Sequence, residues 1–213
     1  HDNMIVLKYT KSLDARFISH IDLLKHIGRI LRRAGIPVKH SQGFNPHALL
    51  FFSPPMVLGV NSYAEYVAID TDMQGEEVFE RFNRSVPEGL KAINWFNSAK
   101  NPNIQGKSVS ADYVMDVDFF EFEFKDGFEI TYKKKDDMVT EDIAKKIVGI
   151  FNADGRLGVR LASGNNNLRV DRLATGLNVK YGKDIKISTI AKIAQYVDVD
   201  GKEVDVDEYL KTL

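Results

Sequence analysis

The hydrophobic period of the first hundred residues switches from two to 3.6 and back, twice over, and this ordering restricts the fold more than any motif does. Met4–Thr10 alternates, with Ile5, Leu7 and Tyr9 on one side, as a half-buried strand does. Ser19–Ala34 then carries helical spacing. Ser19 is the N-cap, Asp22 a weak capping-box partner, and Gly35-Ile36-Pro37 the stop. Ala48–Phe52 is a short apolar run that Ser53-Pro54-Pro55 breaks, and Ala64–Thr71 resumes as a strand. Gly75–Arg84 is a second amphipathic helix and Leu90–Phe96 a last strand. Strand, helix, strand, strand, helix, strand is the split βαβ order, so a ferredoxin-like unit over residues 4–97 is expected, within an α+β fold class.

Residues 98–110 are polar, carry Pro102 and Gly106, and read as a linker. Residues 111–213 read as a second α+β domain, a degenerate second ferredoxin-like unit being one form of it. Ala111–Phe124 and Phe128–Lys134 alternate as strands around Lys125-Asp126-Gly127, a hairpin signal. Thr140–Phe151 reads as a helix, Leu157–Leu161 as a strand and Leu168–Thr175 as a short helix. Ile185–Val199 fits strand or helix, and Asp200-Gly201 reads as a second hairpin turn.

The chain has no cysteine, which excludes disulfides, thiolate zinc sites, a cysteine nucleophile and an iron–sulfur cluster held by this chain alone. Its net charge is −1, so an anion site has to arise from local clustering. No apolar run approaches the roughly 18 residues of a membrane span, and a cytoplasmic location is the expectation. His1-Asp2-Asn3, ahead of Met4, reads as an expression remnant.

Local clustering is present on the first helix. With Arg29 at the centre of a helical wheel, Asp22, Lys25, His26, Arg32 and Arg33 fall on one stripe, and Lys39 and His40 extend the charge. Such a stripe serves as a solvated face or as a contact for phosphates, to which arginine's fork is suited. His20 falls toward the buried side near the helix start, with Arg16 and Phe17 just ahead. The loop Ser41-Gln42-Gly43-Phe44-Asn45-Pro46-His47 joins a permissive glycine and a stiffening proline to polar tips and an aromatic side chain. The candidate binding set is Arg16, His20, Lys25, Arg29, Arg32, Arg33, Ser41, Gln42, Gly43, Phe44, Asn45 and His47. His20 and His47 are also the pair that a metal-independent ribonuclease would use as acid and base. The histidines show no metal-ligand spacing, so neither a metal nor a cofactor is expected. Glu65 reads as structural, or as the partner of a first-helix arginine. Arg169 and Arg172 read as solvated surface, or as cations set beside the first site.

Ala15-Arg16-Phe17-Ile18-Ser19-His20-Ile21-Asp22-Leu23, Leu31-Arg32-Arg33-Ala34-Gly35-Ile36-Pro37 and the Ser41–His47 loop, continued by Leu58-Gly59-Val60 and Glu65-Tyr66, resemble the radical-SAM-linked domain family. The resemblance is close over the first 70 residues and loose around Leu168-Arg169-Val170-Asp171, where a proline is more typical at position 170. It implies a bacterial cytoplasmic protein encoded beside, or fused to, a radical SAM protein, and it brings no activity, cofactor or catalytic residue with it. At fold level the tandem ferredoxin-like reading is also similar to the RAMP superfamily of CRISPR RNA-binding proteins, whose glycine-rich C-terminal loop is not evident here. The reading that follows is an accessory module that binds tRNA or rRNA for a radical SAM partner. A docking module for an acidic protein surface and the two-histidine ribonuclease are the alternatives.

Overall fold

Residues 3–213 are described by a computed structural model; His1 and Asp2, on which the reading of an expression remnant falls, lie outside them. In chain order the elements are β1 (Met4–Lys11), α1 (His20–Arg33), β2 (Leu50–Phe52), β3 (Asn61–Asp70), α2 (Gly75–Ser85) and β4 (Ala92–Ser98). The second half contributes α3 (Ile104–Lys107), β5 (Ser108–Asp118), β6 (Glu129–Lys134), β7 (Asp137–Asp142), β8 (Ile147–Ala153), β9 (Arg156–Ala162), α4 (Val170–Tyr181), β10 (Ala191–Val199), β11 (Lys202–Asp205) and α5 (Val206–Leu210).

The first six main elements form the expected ferredoxin-like unit. The strands lie in the order β4-β1-β3-β2 and every neighbouring pair is antiparallel. Ile5, Leu7, Tyr9, Val67 and Ile69 point to one face and are covered by Ile27, Ile30 and Leu31 of α1 and Val78 and Phe82 of α2. Met4, Val6, Tyr66 and Ala68 point to the other, where Val206, Tyr209 and Leu210 of α5 cover them.

The second half repeats this order with different connections. Its strands run β10-β5-β9-β8, again with antiparallel neighbours, which is the same arrangement of first, second, third and fourth strands. Where the first unit has α1, the second has the irregular segment 119–128 and a β6–β7 hairpin; α4 takes the place of α2. The two units share one nine-stranded sheet, joined where the start of β3 runs parallel to β10 through Ala191↔Asn61 and Lys192↔Ser62. Segment 98–110 contains α3 and the first residues of β5.

Three sequence expectations need correction. β5 ends at Asp118, and Phe120, Phe122 and Phe124 continue its alternation without a ladder partner. Phe120 and Phe122 pack instead on Tyr181, Phe122 also on Phe128, and Phe124 on Phe122, at centroid distances from 5.5 to 6.1 Å, so the period of two reports one-sided burial. Gly127 (φ +132°) turns the chain, but the hairpin is closed one strand later, where Lys135 takes a left-handed φ of 56°. Thr140–Phe151 is not a helix. Ile143 and Ile147 are both buried at helical spacing, but a 3-10 turn over Ala144–Lys146 joins β7 to β8 between them. The β-branched run after Lys146, with Gly149 inside it, favours the strand. Ile185–Val199 resolves as a 3-10 turn followed by β10, and Asp200-Gly201, both at positive φ, closes the β10–β11 hairpin.

Candidate functional site

α1 begins where Ser19 Oγ accepts the Asp22 amide at 3.2 Å. With Leu23, Ile27, Ile30 and Leu31 buried, the opposite side of the helix has to face solvent, and Asp22, Lys25, His26, Arg29, Arg32 and Arg33 are exposed. The side chains of Lys25, Arg29 and Arg32 make no hydrogen bond or ion pair among the described residues. Arg33 leans toward α2, donates to the Ser85 carbonyl at 2.9 Å, and lines a shallow cavity with Arg81 and Arg84. Lys39 does not extend this free charge, because Asp72 lies 3.2 Å and Asp70 3.8 Å from its Nζ.

The Ser41–His47 loop is stapled at its base. The Ser41 amide donates to the His47 carbonyl at 2.9 Å, the His47 amide donates to Ser41 Oγ at 3.1 Å, and Ser41 Oγ meets His47 Nδ1 at 2.9 Å. His40 and Ala48 form a single antiparallel bridge just outside it. Gly43 takes φ +124°, a region that favours glycine, which turns the tip outward. Phe44 stands wholly exposed there, with Gln42 and Asn45 exposed on either side.

Pro46, His47 and His40 share a cavity of about 300 Å³ with Gly28, Leu31 and Arg32 of α1, so the loop and the basic helix are neighbours. His20 is elsewhere. It lines a separate cavity of about 200 Å³ with Leu24, Phe52 and Gln105, its ring edge-on to Phe52 at 6.2 Å. Arg32 is about 18 Å farther along the helix at 1.5 Å per residue. The structure therefore does not bring His20 and His47 together as an acid–base pair. Arg16 lies in the 3-10 turn after β1, its Nη1 on the Leu13 carbonyl at 2.7 Å and its guanidinium over Phe17. Arg169 is paired with Asp171 at 2.8 Å and Arg172 stacks on Tyr132, so neither serves the first unit's loop. Among the described residues no histidine and carboxylate cluster fit to hold a metal ion is present.

A second constellation lies at the seam of the two units. Lys11, Ser62, Lys192 and Tyr113 sit side by side on β1, β3, β10 and β5. Glu65 Oε2 accepts from Ser62 Oγ at 2.6 Å and from Lys192 Nζ at 3.0 Å, with both charged residues at or below 2% exposure. Glu65 thus pairs across the seam, with Lys192 and not with an arginine of α1. Lys11 is equally buried. Burial lowers its pKa, an effect that Glu65 opposes. Burial likewise lowers the pKa of His20, with Glu65 opposing and Lys11 adding to the shift. Burial, then Glu65, raises Tyr9 well above the usual phenol range. The signal for this cluster was in the sequence: Lys11 and Glu65 occupy inward positions in the alternations Ile5-Leu7-Tyr9 and Val67-Ile69, where a charge needs a reason.

A further cavity of about 800 Å³ opens between α3 and the 163–166 turn, its lining including Asn103, Gln105, Ser163 and Asn166. Among the described residues no helix is long and apolar enough to cross a membrane. No curated protein matches the chain. Residues 4–156, which span the first unit, the seam strand β3 and much of the second unit, match the bacterial family described as "Uncharacterized protein conserved in bacteria (DUF2344)". The chain belongs to that family.

Proposed function

We propose that the protein binds RNA through the basic face of α1 and the Ser41–His47 loop, and presents it to a radical SAM partner. The observation that carries this reading is the pairing of a wholly exposed Phe44 on a stapled loop with the unpaired cations of the adjacent helix. Lys25, Arg29 and Arg32 contact phosphates, which need no further partner to be satisfied. Phe44 stacks on an unpaired base, and Gln42, Asn45 and His47 hydrogen-bond to its edges. Single-stranded or loop RNA fits such a surface better than duplex, whose bases are already stacked. The experiment is a titration of a labelled tRNA or rRNA hairpin. Arg29→Glu with Arg32→Glu abolishes binding while leaving the fold intact, and binding unaffected by that charge reversal counts against the reading.

The radical SAM partner rests on the sequence resemblance. A second observation favours a protein docking there as well: Leu13, Phe17, Ile21 and Leu58 are half to two-thirds exposed around the amino-terminal end of α1. In this reading the apolar end of α1 takes the partner and the basic middle takes the RNA. Co-purification with the radical SAM protein that survives nuclease treatment and is lost in Phe17→Ser/Ile21→Ser supports it.

A further inference from the structure

The nine-stranded sheet ends in β4 on one side and in β8 on the other. Neither strand carries a charged residue or a proline, the usual means by which an edge avoids pairing with another chain. β4 is blocked by side chains instead. The Ala92 amide donates to Asn83 Oδ1 at 2.8 Å, the Ala92 carbonyl accepts from Asn83 Nδ2 at 2.9 Å, and the Trp95 amide donates to Asn94 Oδ1 at 2.8 Å. β8 has no such cover. A bulge at Val148 interrupts its start, and from Gly149 to Ala153 it pairs regularly with the run from Arg160 back to Arg156. The two-residue turn Asp154-Gly155, both at left-handed φ, makes Ala153 and Arg156 a hydrogen-bonded pair. By alternation Ile150 and Asn152 direct their amides and carbonyls away from β9, and among the described residues no other element bonds to them.

A cavity of about 390 Å³ flanks this open edge, with Ile150 on one wall and Glu121, Phe122, Glu123, Phe124 and Lys125 of the irregular segment on the other. Glu121 and Glu123 are exposed, and their side chains make no hydrogen bond or ion pair among the described residues. Ile150 faces the core side of the sheet, as these phenylalanines do, whereas Phe151 lies on the opposite face with its ring over Gly158. We propose that β8 is a docking edge for an extended basic peptide of a partner protein, which adds antiparallel to it as a further strand. Peptide residues opposite Ile150 and Asn152 share their face and project toward the cavity. Lysine or arginine suits those positions, because the aliphatic stem lies along the phenylalanine wall while the cation reaches Glu121 or Glu123. The alternate residues fall on the Phe151 side and are apolar. Two carboxylates against one lysine favour a basic peptide over an acidic one, and over the uncharged β8 of a second copy. The edge lies in the second unit and uses none of Lys25, Arg29, Arg32 or Phe44, so it stands apart from the RNA-binding reading and can fail separately.

The test is fluorescence anisotropy of the full chain with a short labelled peptide of alternating lysine and valine. Saturable binding is expected, and none by the glutamate–valine counterpart. Glu121→Lys/Glu123→Lys, which changes two exposed side chains and leaves the circular dichroism unaltered, weakens binding about tenfold or more. N-methylation separates strand addition from charge adsorption. Methylating the lysine amides, which the antiparallel ladder uses, abolishes binding, whereas methylating the valine amides, which point outward, changes it by less than about threefold. The proposal is overturned if the lysine–valine peptide does not bind saturably, or if both methylated peptides bind as well as the parent. Binding that survives undiminished in Glu121→Lys/Glu123→Lys overturns it as well. So does a concentration-dependent dimer in sedimentation without any response to the peptide, which assigns the edge to a second copy of this chain.

Discussion

At Glu65 and Lys192 the free energy of a buried ion pair is concentrated in two side chains from different halves of the chain. Two buried charges that satisfy each other contribute little net stability, but removing one leaves the other stranded. Glu65→Gln keeps the shape and removes the charge, so it is expected to destabilise the protein by about 3–5 kcal/mol in chemical denaturation. Replacing both residues with apolar ones of similar volume costs less than this single change. His20 supplies a pH effect at the same scale. Burial holds its folded-state pKa below the ordinary value of 6.5, so as pH falls the unfolded chain takes up the proton first. Its contribution to stability is therefore complete above about pH 6.5 and declines below it, until the folded-state pKa is reached. Unfolding midpoints measured between about pH 5 and 7 fall toward acid, and His20→Gln reduces that slope.

At the scale of elements, α1 was legible almost to the residue, because a serine cap, a helical apolar period and a Gly-Ile-Pro stop agree with one another. Ser19→Ala removes the bond to the Asp22 amide and costs about 1 kcal/mol of stability. Phe44→Ala, at the exposed loop tip, leaves stability unchanged within about 0.5 kcal/mol. The 119–124 and 140–151 stretches depart from their sequence expectations for a physical reason. Their Phe-Glu alternation and Ile143/Ile147 spacing record which side is buried, and an irregular segment on a core gives the same record as a strand or helix. Of the candidate site, the loop and the basic helix could be read from local composition, and the cavity they line brings them together. The Glu65–Lys192 pair could not. Its partners meet through a parallel contact between strands far apart in sequence, and only Lys11 and Glu65 carried a warning, as charges at inward positions.

Across the whole molecule, one strand order is used twice and the two copies are fused edge to edge. The first core is enclosed by α1 and α2, the second by α4 and the β6–β7 hairpin, while α5 from the end of the chain covers the far face of the first unit. We propose that 4–97 and 111–213 are distinct cores that unfold together, because the seam strands, the buried ion pair and α5 bind each to the other. Trp95, the single tryptophan, reports on the first unit alone. Its fluorescence and far-ultraviolet circular dichroism are expected to trace coincident urea transitions, and separated transitions would mean independent domains. The same architecture leaves α1 and its loop on an outer surface where an extended ligand has room. The most direct test of the RNA-binding claim is the salt dependence of affinity for a single-stranded RNA. The account predicts a linear fall of log K with log salt concentration, a slope reduced by about 0.7 for each of Arg29 and Arg32 changed to glutamine, and a Phe44→Ala variant that binds more weakly with its slope unchanged. Binding that is absent, or indifferent both to salt and to these three side chains, would contradict it.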